Sequence, residues 1–466
     1  MASRRAAVLA RSLSAGLARR QAVCQHSRNP WKEAIRAIST SSPRFQPPPN
    51  PATSENPISA SPPVPKINKK RTFNVTKADA QPTLSKHHKI SFDDKRISLP
   101  WEEGKNSTFQ HIWLRDHCQC PQCMHPQTKQ RTLDTFSLPL NIRPSEVEPK
   151  DEGLYVKWHG GHESLYSWEW LHRHSYAPRL EKYPSVQRKL WGKADLEENI
   201  PVVKYDDVMK SDNGVAEWTS QIQIYGFCFV DGVPTTPGAT KELVERIAHI
   251  RHTHYGGFWD FTADLEKKDM AYTNLALPAH TDTTYFTEPC GLQMFHLLEF
   301  DGQGGESLLV DGFRAARILR EEKPEAFRTL STIRVPTHAS GNEDVSIEPY
   351  TPFPVFNHHP VTGELVQVRW NNEDRATMDR WADPEEVEKF YAAIFDWNEV
   401  LKRAEGEYRE QLVPGRPLIF DNWRVLHGRG SFTGFRRMCG AYVGRDDWQS
   451  RLRMTNYGRE EILMGL

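Results

Sequence analysis

Residues 279–286 read Ala-His-Thr-Asp-Thr-Thr-Tyr-Phe, and within them His280 and Asp282 lie two positions apart. In an extended segment, side chains two apart project from the same side, so this pair can bind one metal ion. The best candidate for a third ligand is His427, in the segment Asp421–Arg429, which reads DNWRVLHGR. Two imidazoles and one carboxylate form the facial triad of non-haem Fe(II) oxygenases, which leaves coordination positions open for other ligands. The pattern therefore predicts an iron site.

Short strand-like segments, separated by turn residues, surround this motif in the sequence. A helix is predicted from Pro384, because Asp383 offers an N-cap and apolar residues follow at helical spacing. Over residues 198–466 these signals predict an α+β fold, a double-stranded β-helix (jelly-roll) oxygenase core with flanking helices, preceded by a connector over 176–197. The predicted strands of this core include Gly291–Leu298, Glu306–Val310, Leu365–Trp370 and Leu418–Phe420.

The first 85 residues are predicted to lie outside the fold. Residues 1–38 are rich in Arg, Ala and Ser, and six arginines precede the first acid, Glu33, which is typical of a mitochondrial transit peptide and predicts the mitochondrial matrix. A disordered basic tail is the alternative interpretation. Residues 39–85 are a linker rich in proline and serine. No apolar run approaches the roughly 20 residues that a membrane-spanning helix needs.

Three of the seven cysteines lie together, as Cys118, Cys120 and Cys123. They fall within residues 86–175, which we predict to be a small β-rich zinc-binding domain with strands at His88–Phe92, Phe109–Leu114 and Leu154–Trp158. A closed zinc site needs a fourth ligand, and we choose His162, with His117, His125 and His159 as competitors. Free buried thiols or a redox-active pair are the alternatives to structural zinc.

The charge composition favours a small-molecule substrate. Lys+Arg and Asp+Glu are equal at 60 each, so no overall field attracts nucleic acid or an anionic membrane. The chain also contains 14 Trp, 14 Tyr and 21 Phe residues. Most of these should pack in the core, but a cluster of aromatic faces can also hold a cation.

Four motifs occur in order along the chain: Ala271–Thr273, His280–Gly291, Gly304–Gly312 and Phe420–Arg429. Together they resemble the gamma-butyrobetaine and trimethyllysine dioxygenase family, whose members are Fe(II)- and 2-oxoglutarate-dependent hydroxylases. The resemblance runs from about His88 to Ile462, and three stretches, His280–Gly291, Phe432–Tyr442 and Gly444–Asp447, indicate the branch that acts on trimethyllysine. The gamma-butyrobetaine branch remains an alternative, as do an amino-acid or sulfonate oxygenase of the same fold and a non-enzymatic zinc-dependent interaction module.

The resemblance implies the cosubstrates and their ligands. Arg436 would bind the far carboxylate of 2-oxoglutarate, with Arg437 as the neighbour that is not excluded, and Ser307 would supply a hydroxyl to the same carboxylate. O2 would be the second cosubstrate and ascorbate the reductant. The family resemblance also suggests a homodimer.

It further implies how trimethyllysine would be held. An aromatic cage would enclose the trimethylammonium group, which has no N–H to donate. Asp269 would pair with the α-ammonium group, which gamma-butyrobetaine lacks, and Asn371 and Asn372 would contact the amino-acid end. The cage residues are Tyr255, Trp259, Tyr272 and Tyr442.

Overall fold

The computed structural model describes residue 84 and residues 89–102, 104–180, 188–262 and 273–465. The predicted transit peptide and, except for Leu84, the predicted linker lie outside the described residues. Within the described ranges, no helix is both long enough and apolar enough to cross a bilayer.

The N-terminal part of the described chain consists of two three-stranded antiparallel sheets and two short helices. Leu99, Phe109, Leu154 and Trp158 lie in one buried cluster, so this part has its own hydrophobic core. Its elements are β1 (Ser91–Phe92), β2 (Arg96–Pro100), β3 (Asn106–Gln110), α1 (His111–Asp116), a 3-10 turn (Thr135–Ser137), β4 (Pro144–Lys150), β5 (Gly153–Trp158), β6 (Glu163–Ser167) and α2 (Trp168–Arg173).

The predicted strand Phe109–Leu114 is wrong in its second half. β3 ends at Gln110, and α1 begins at His111. His111, Leu114 and Arg115 are the buried residues of this helix, and they recur at the spacing of one helical face. The apolar residues in this stretch fit both the two-residue period of a strand and the period of a helix. Burial against the N-terminal core favours the helix.

The larger part of the chain contains two facing sheets. The strands of this part are β7 (Val202–Lys204), β8 (Phe227–Asp231), β9 (Trp259–Thr262), β10 (Leu277–His280), β11 (Leu292–Gly304), β12 (Ser307–Asp311), β13 (Arg334–Val335), β14 (Phe353–Pro354), β15 (Phe356–His358), β16 (Leu365–Val368), β17 (Glu407–Glu410), β18 (Leu418–Asp421), β19 (Val425–Arg429) and β20 (Phe432–Val443). In the two facing sheets, six strands run in the order β7-β8-β18-β11-β20-β9 and four in the order β10-β19-β12-β17, and every pairing except β7–β8 is antiparallel. The mixed α+β content is confirmed, and the two sheets are consistent with a jelly-roll core.

Helices cover the outer faces of both sheets. They are α3 (Lys193–Glu198), α4 (Tyr205–Lys210), α5 (Asp212–Tyr225), α6 (Pro237–Glu245), α7 (Gly312–Glu322), α8 (Pro324–Thr332), α9 (Pro384–Leu401), α10 (Arg445–Asn456) and α11 (Arg459–Leu463). Trp218, on α5, packs in one buried cluster with Ile419 and Ala441 of the six-stranded sheet. Leu308 and Leu426 of the four-stranded sheet pack in another cluster with helices α7 to α9.

Alternation along the strands decides which side chains lie between the sheets. Leu309, Phe420 and Met438 belong to a buried cluster that draws on both sheets, whereas Leu308 and Ile419, one position away, face the helices. On β19 the helix-facing residue is Leu426, so His427 projects into the space between the sheets. The same period directs even-numbered residues of β20 inward.

His296 gives the fold a sensitivity to acid. It is buried on β11, its Nε2 accepts a hydrogen bond from the Gly415 N–H (3.1 Å), and its Nδ1 lies 2.7 Å from Thr240 Oγ1, an arrangement that needs the neutral ring. Burial lowers the pKa of His296 from 6.5 to about 4. The unfolded chain therefore takes up a proton first as the pH falls, and stability decreases by about 1.4 kcal/mol per pH unit between those two values.

We expect the unfolding free energy to fall by about 2 kcal/mol more in the wild type than in His296→Gln when the pH is lowered from 6.5 to 5. Urea unfolding followed by circular dichroism at both pH values measures this difference. His159→Gln, at an exposed position, serves as the control and should behave like the wild type. Equal acid sensitivity in the wild type and His296→Gln would contradict the assignment.

Candidate active site

The structure brings His280, Asp282 and His427 together. β10 pairs with β19 so that His280 and His427 are directly opposite, and Asp282 follows two residues after His280. The Nε2 atoms of His280 and His427 lie 3.3 and 3.6 Å from the two carboxylate oxygens of Asp282. His280 Nδ1–H donates to the Pro278 carbonyl oxygen (2.8 Å), which directs its Nε2 toward the other two ligands. The donor set and its convergence fit a divalent metal.

The pKa shifts of the three side chains favour a bound cation. Burial opposes charging of His280, but the hydrogen bond and the negative charge of Asp282 outweigh burial and raise the pKa of His280 to about 9. Burial and the nearby His280 charge lower the pKa of His427. The pKa of Asp282 is held well below its usual range, because the two histidines outweigh its burial. A metal ion would replace the proton on His280.

Asp282 is held by side chains from other strands. Asn422 accepts from the Asp282 N–H (2.8 Å) and donates to the Asp282 carbonyl oxygen (2.9 Å), while Gln293 Nε2 donates to Asp282 Oδ2 (2.6 Å). The next residue, Thr283, has φ of +57°, a left-handed conformation that is strained for a β-branched residue. Its hydroxyl accepts from the Cys290 N–H (2.8 Å), which helps to hold it there.

Gln293 and Asn422 were not among the sequence-predicted site residues. Asn422 stands within the quoted DNWR motif, but its role depends on contact with a segment 140 positions earlier in the chain. Gln293 is a polar residue in the buried first half of β11 and is 1% exposed. A buried polar residue at an inward position of a core strand is the signal that would have identified it.

Arg436 and Arg437 have opposite environments. Arg436 is 8% exposed, its Nε has no hydrogen-bond partner, and no carboxylate of the described residues pairs with it. Arg437 is exposed and forms a two-bond ion pair with Asp260 (2.7 and 2.9 Å). Burial and the charge of Arg429 lower the pKa of Arg436 to about 10, so it remains a cation at neutral pH. A buried, unpaired guanidinium is suited to a carboxylate ligand.

Arg429 and Ser307 lie on neighbouring strands near this guanidinium. They are directly paired in the β12–β19 register, and Arg429 is 8% exposed. The guanidinium groups of Arg429 and Arg436 both lie over the ring of Phe432, at 4.9 and 5.5 Å from its centroid. The arrangement therefore places two buried positive charges around one aromatic ring.

A cavity of about 270 Å³ opens beside the triad, with His280 and Asp282 in its wall. Three predicted cage residues, Tyr255, Trp259 and Tyr442, line it, and the rings of Trp259 and Tyr442 meet edge to face with centroids 4.5 Å apart. Tyr285, which was not predicted, also lines the cavity and donates a hydrogen bond to the Tyr255 hydroxyl (3.2 Å). Tyr272, the fourth predicted cage residue, lies outside the described residues.

The lining of the cavity also includes polar and acidic residues. Asn371 lines it, but Asn372 does not: Asn372 is exposed, and its side chain accepts from Arg375 Nε (3.1 Å). Of the two predicted asparagines, Asn371 is the one that the structure brings to the described lining of this cavity. Glu373 and Asp374 also line the cavity and were not predicted, and no lysine or arginine is found among its described lining residues. Asp269 lies outside the described residues.

Cys118, Cys120, Cys123 and His162 converge in the N-terminal part, whereas His117, His125 and His159 do not join this group. The three sulfur atoms lie 3.4, 3.7 and 3.5 Å from His162 Nε2. A tetrahedral zinc ion with ordinary bond lengths requires a separation of about 3.5 Å between sulfur and nitrogen ligands. Ser164 and Arg115 donate to the sulfur atoms of Cys118 and Cys123 (3.1 and 3.2 Å).

Comparison with known proteins agrees with this geometry. Residues 172–442 match the family model described as taurine catabolism dioxygenase TauD, TfdA family, and residues 88–172 match gamma-butyrobetaine hydroxylase-like, N-terminal. A trimethyllysine dioxygenase of Meyerozyma guilliermondii is 46% identical over 388 residues, which cover 80% of this chain and 97% of that protein.

Two further relatives are less similar in sequence. The mitochondrial trimethyllysine dioxygenase of Bos taurus is 40% identical over 79% of this chain and 89% of its own length. The gamma-butyrobetaine dioxygenase of Pseudomonas sp. (strain AK-1) is 33% identical over 76% of this chain and 92% of its own length. The chain belongs to the TauD, TfdA dioxygenase family, in the group formed by the trimethyllysine and gamma-butyrobetaine dioxygenases.

Proposed function

We propose that the protein is an Fe(II)- and 2-oxoglutarate-dependent dioxygenase that hydroxylates N6,N6,N6-trimethyllysine at C3. The products are 3-hydroxy-trimethyllysine, succinate and CO2, and the reaction is the first step of carnitine biosynthesis. One observation carries the choice of substrate: the lining of the cavity beside the triad combines aromatic rings with acidic residues, with no lysine or arginine among its described lining residues. Such a cavity favours a molecule with two cationic groups.

His280, Asp282 and His427 would hold the iron, which supplies O2 activation and the oxidative decarboxylation of 2-oxoglutarate. Arg436 would bind the far carboxylate of 2-oxoglutarate, and the Ser307 hydroxyl would contact the same group. Gln293 donates to the Asp282 carboxylate and Asn422 bonds to the Asp282 backbone, so the two side chains keep Asp282 in place. The residues of the chain would thus position the cosubstrate, and the cavity would present the substrate carbon to the metal site.

Tyr255, Trp259 and Tyr442, with Tyr272, would hold the trimethylammonium group. Asn371 and Asp269 would bind the amino-acid end, where Glu373 and Asp374 add negative charge to the cavity wall. Gamma-butyrobetaine ends in a carboxylate without an ammonium group, and the acidic wall would repel it. This supports trimethyllysine over the alternative substrate, in agreement with the lower identity, 33%, to the gamma-butyrobetaine dioxygenase.

The test is to incubate the purified protein with Fe(II), 2-oxoglutarate, ascorbate as reductant and each substrate separately. We expect succinate and a hydroxylated product from trimethyllysine. Turnover of gamma-butyrobetaine alone would overturn the choice of substrate. Substrate-dependent succinate formation that persists in His280→Ala would overturn the triad.

Trp259 provides a quantitative test of the cage. Its loss should remove one cation–π contact of about 0.5–2 kcal/mol, so we expect Trp259→Ala to raise the KM for trimethyllysine roughly 2- to 30-fold. The KM for 2-oxoglutarate, measured in the same assays, is the internal control and should change by less than about twofold. Equal changes in both KM values would show general damage to the site and contradict a cage role.

The remaining assignments concern the N-terminal part and the location. We propose that Cys118, Cys120, Cys123 and His162 bind structural zinc, supported by the sulfur–nitrogen distances, in a domain of residues 86–175 that precedes a connector (176–197) and the oxygenase domain (198–466). Residues 1–38 would direct the protein to mitochondria, supported by mitochondrial relatives such as that of Bos taurus, and we place it in the matrix. A homodimer is also proposed, and its mass in solution would test it.

A further inference from the structure

Arg429 lies between the cavity wall near Leu277 and the buried guanidinium group of Arg436. It lies on β19 two positions after His427, so both side chains project between the sheets. Its Nη2 donates hydrogen bonds to the carbonyl oxygens of Thr273 (2.6 Å) and Leu275 (2.8 Å). One guanidinium group thus holds two carbonyls of the segment that leads into β10.

The segment Thr273–Leu277 continues into the cavity wall. Leu277 lines the cavity and is directly opposite Arg429 in the β10–β19 register. The Phe432 N–H donates to the Asn274 carbonyl oxygen (3.2 Å), between the two carbonyls that Arg429 holds. The position of this part of the wall therefore depends on Arg429 and on the start of β20.

Arg429 also lies near the guanidinium group of Arg436, since both guanidinium groups lie over the ring of Phe432. Both arginines are buried, and the charge of Arg429 adds to burial in lowering the pKa of Arg436. Two buried like charges repel each other, and a carboxylate bound at Arg436 would remove that repulsion. With an anion bound at Arg436, Arg429 can stay buried beside Arg436 at a lower electrostatic cost. The anion therefore favours the buried position of Arg429, from which it donates to the Thr273 and Leu275 carbonyls.

We propose that Arg429 is a positioning residue that couples the two ligands: a dicarboxylate bound at Arg436 strengthens the hold of Arg429 on Thr273–Leu277, so that each ligand raises the affinity for the other. The identity of the ligands, 2-oxoglutarate and trimethyllysine, rests on the proposed function. Coupling of this kind is reciprocal, because both ligands bias the same arrangement of the segment.

Calorimetric titration of the full-length protein under anaerobic conditions, with Mn(II) in place of iron, measures the coupling. We expect saturating 2-oxoglutarate to lower the Kd for trimethyllysine about 10-fold in the wild type, within the usual range for coupled sites. In Arg429→Gln this factor should fall below about twofold. Arg429→Lys keeps the charge, but its side chain is one bond shorter than the reach of arginine Nη2 to the two carbonyls, so it should lose most of the factor as well.

Hydrogen exchange gives a second readout. Amides of Thr273–Leu277 should become more protected when 2-oxoglutarate binds to the wild type but not to Arg429→Gln. Arg437→Gln, at an exposed position next to Arg436 on β20, is the control and should keep the full coupling factor. Thermal unfolding of each variant establishes that it is folded before titration.

Two outcomes would overturn the inference. One is Arg429→Gln binding both ligands more weakly with an unchanged coupling factor, and the other is full coupling in Arg429→Lys. If gamma-butyrobetaine binds and trimethyllysine does not, the proposed substrate is wrong, and the factor measured with gamma-butyrobetaine tests Arg429 by the same criteria.

Discussion

Arg436→Gln should raise the Kd for 2-oxoglutarate roughly 30- to 4000-fold, because truncating one partner of a buried charge pair costs about 2–5 kcal/mol. The wild-type guanidinium is 8% exposed and has no carboxylate partner among the described residues, so it would meet the cosubstrate without first breaking another ion pair. Titration of the Mn(II)-loaded protein with 2-oxoglutarate measures the change.

The next residue supplies a matched control. Arg437 is on the same strand but is exposed and paired with Asp260, and such surface pairs contribute about 0–1 kcal/mol. We therefore expect Arg437→Gln to alter the Kd for 2-oxoglutarate less than about fivefold. The reverse order of effects would assign the cosubstrate carboxylate to Arg437, and equal small effects would remove both arginines from the cosubstrate site.

A second large effect is expected on stability, at the ion pair between Arg424 and Asp311. The side chains are 2% and 1% exposed, and their charged groups are 2.9 Å apart. Asp311 also accepts from the N–H groups of Phe313 and Trp191, and Arg424 also donates to the Ile224 carbonyl oxygen. The pair thus joins the start of α7, the end of α5 and the turn before β19.

Arg424→Met should lower the free energy of unfolding by about 3–5 kcal/mol, because it leaves the Asp311 carboxylate buried without its counter-charge. Urea unfolding monitored by circular dichroism measures the loss. Arg403→Met breaks the pair with Glu322, whose side chains are 26% and 45% exposed, and should cost at most about 1 kcal/mol. Similar losses in the two variants would show that burial does not control the strength of these pairs.

Much of the fold could be predicted where apolar spacing and local signals agree. α9 begins at Pro384 as predicted, and the Asp383 side chain accepts from the Glu386 N–H as an N-cap should. β11 was predicted to end at Leu298 but continues to Gly304. Its second half is exposed and polar and exists because it pairs with β20, which the residues of β11 alone do not reveal.

The candidate site could be predicted where it depends on short spacing. The pairing of His280 with Asp282 follows from the two-residue period of an extended segment. The same alternation along a strand separates the buried Arg436 from the exposed Arg437. The contacts of Gln293 and Asn422 with Asp282 could not be predicted, because they join segments that only the folded sheets bring together. Glu373 and Asp374 were missed for the same reason, since their sequence resembles an ordinary exposed loop.

The separation of the acidic, aromatic cavity from the two buried arginines has a kinetic consequence. A dicarboxylate such as succinate should compete with 2-oxoglutarate and leave the cationic substrate's own subsite open, because that subsite is lined by Glu373 and Asp374 and by no described lysine or arginine. The two organic reactants are therefore sorted by the sign of their charge, and neither can act as a dead-end inhibitor by occupying the other's place.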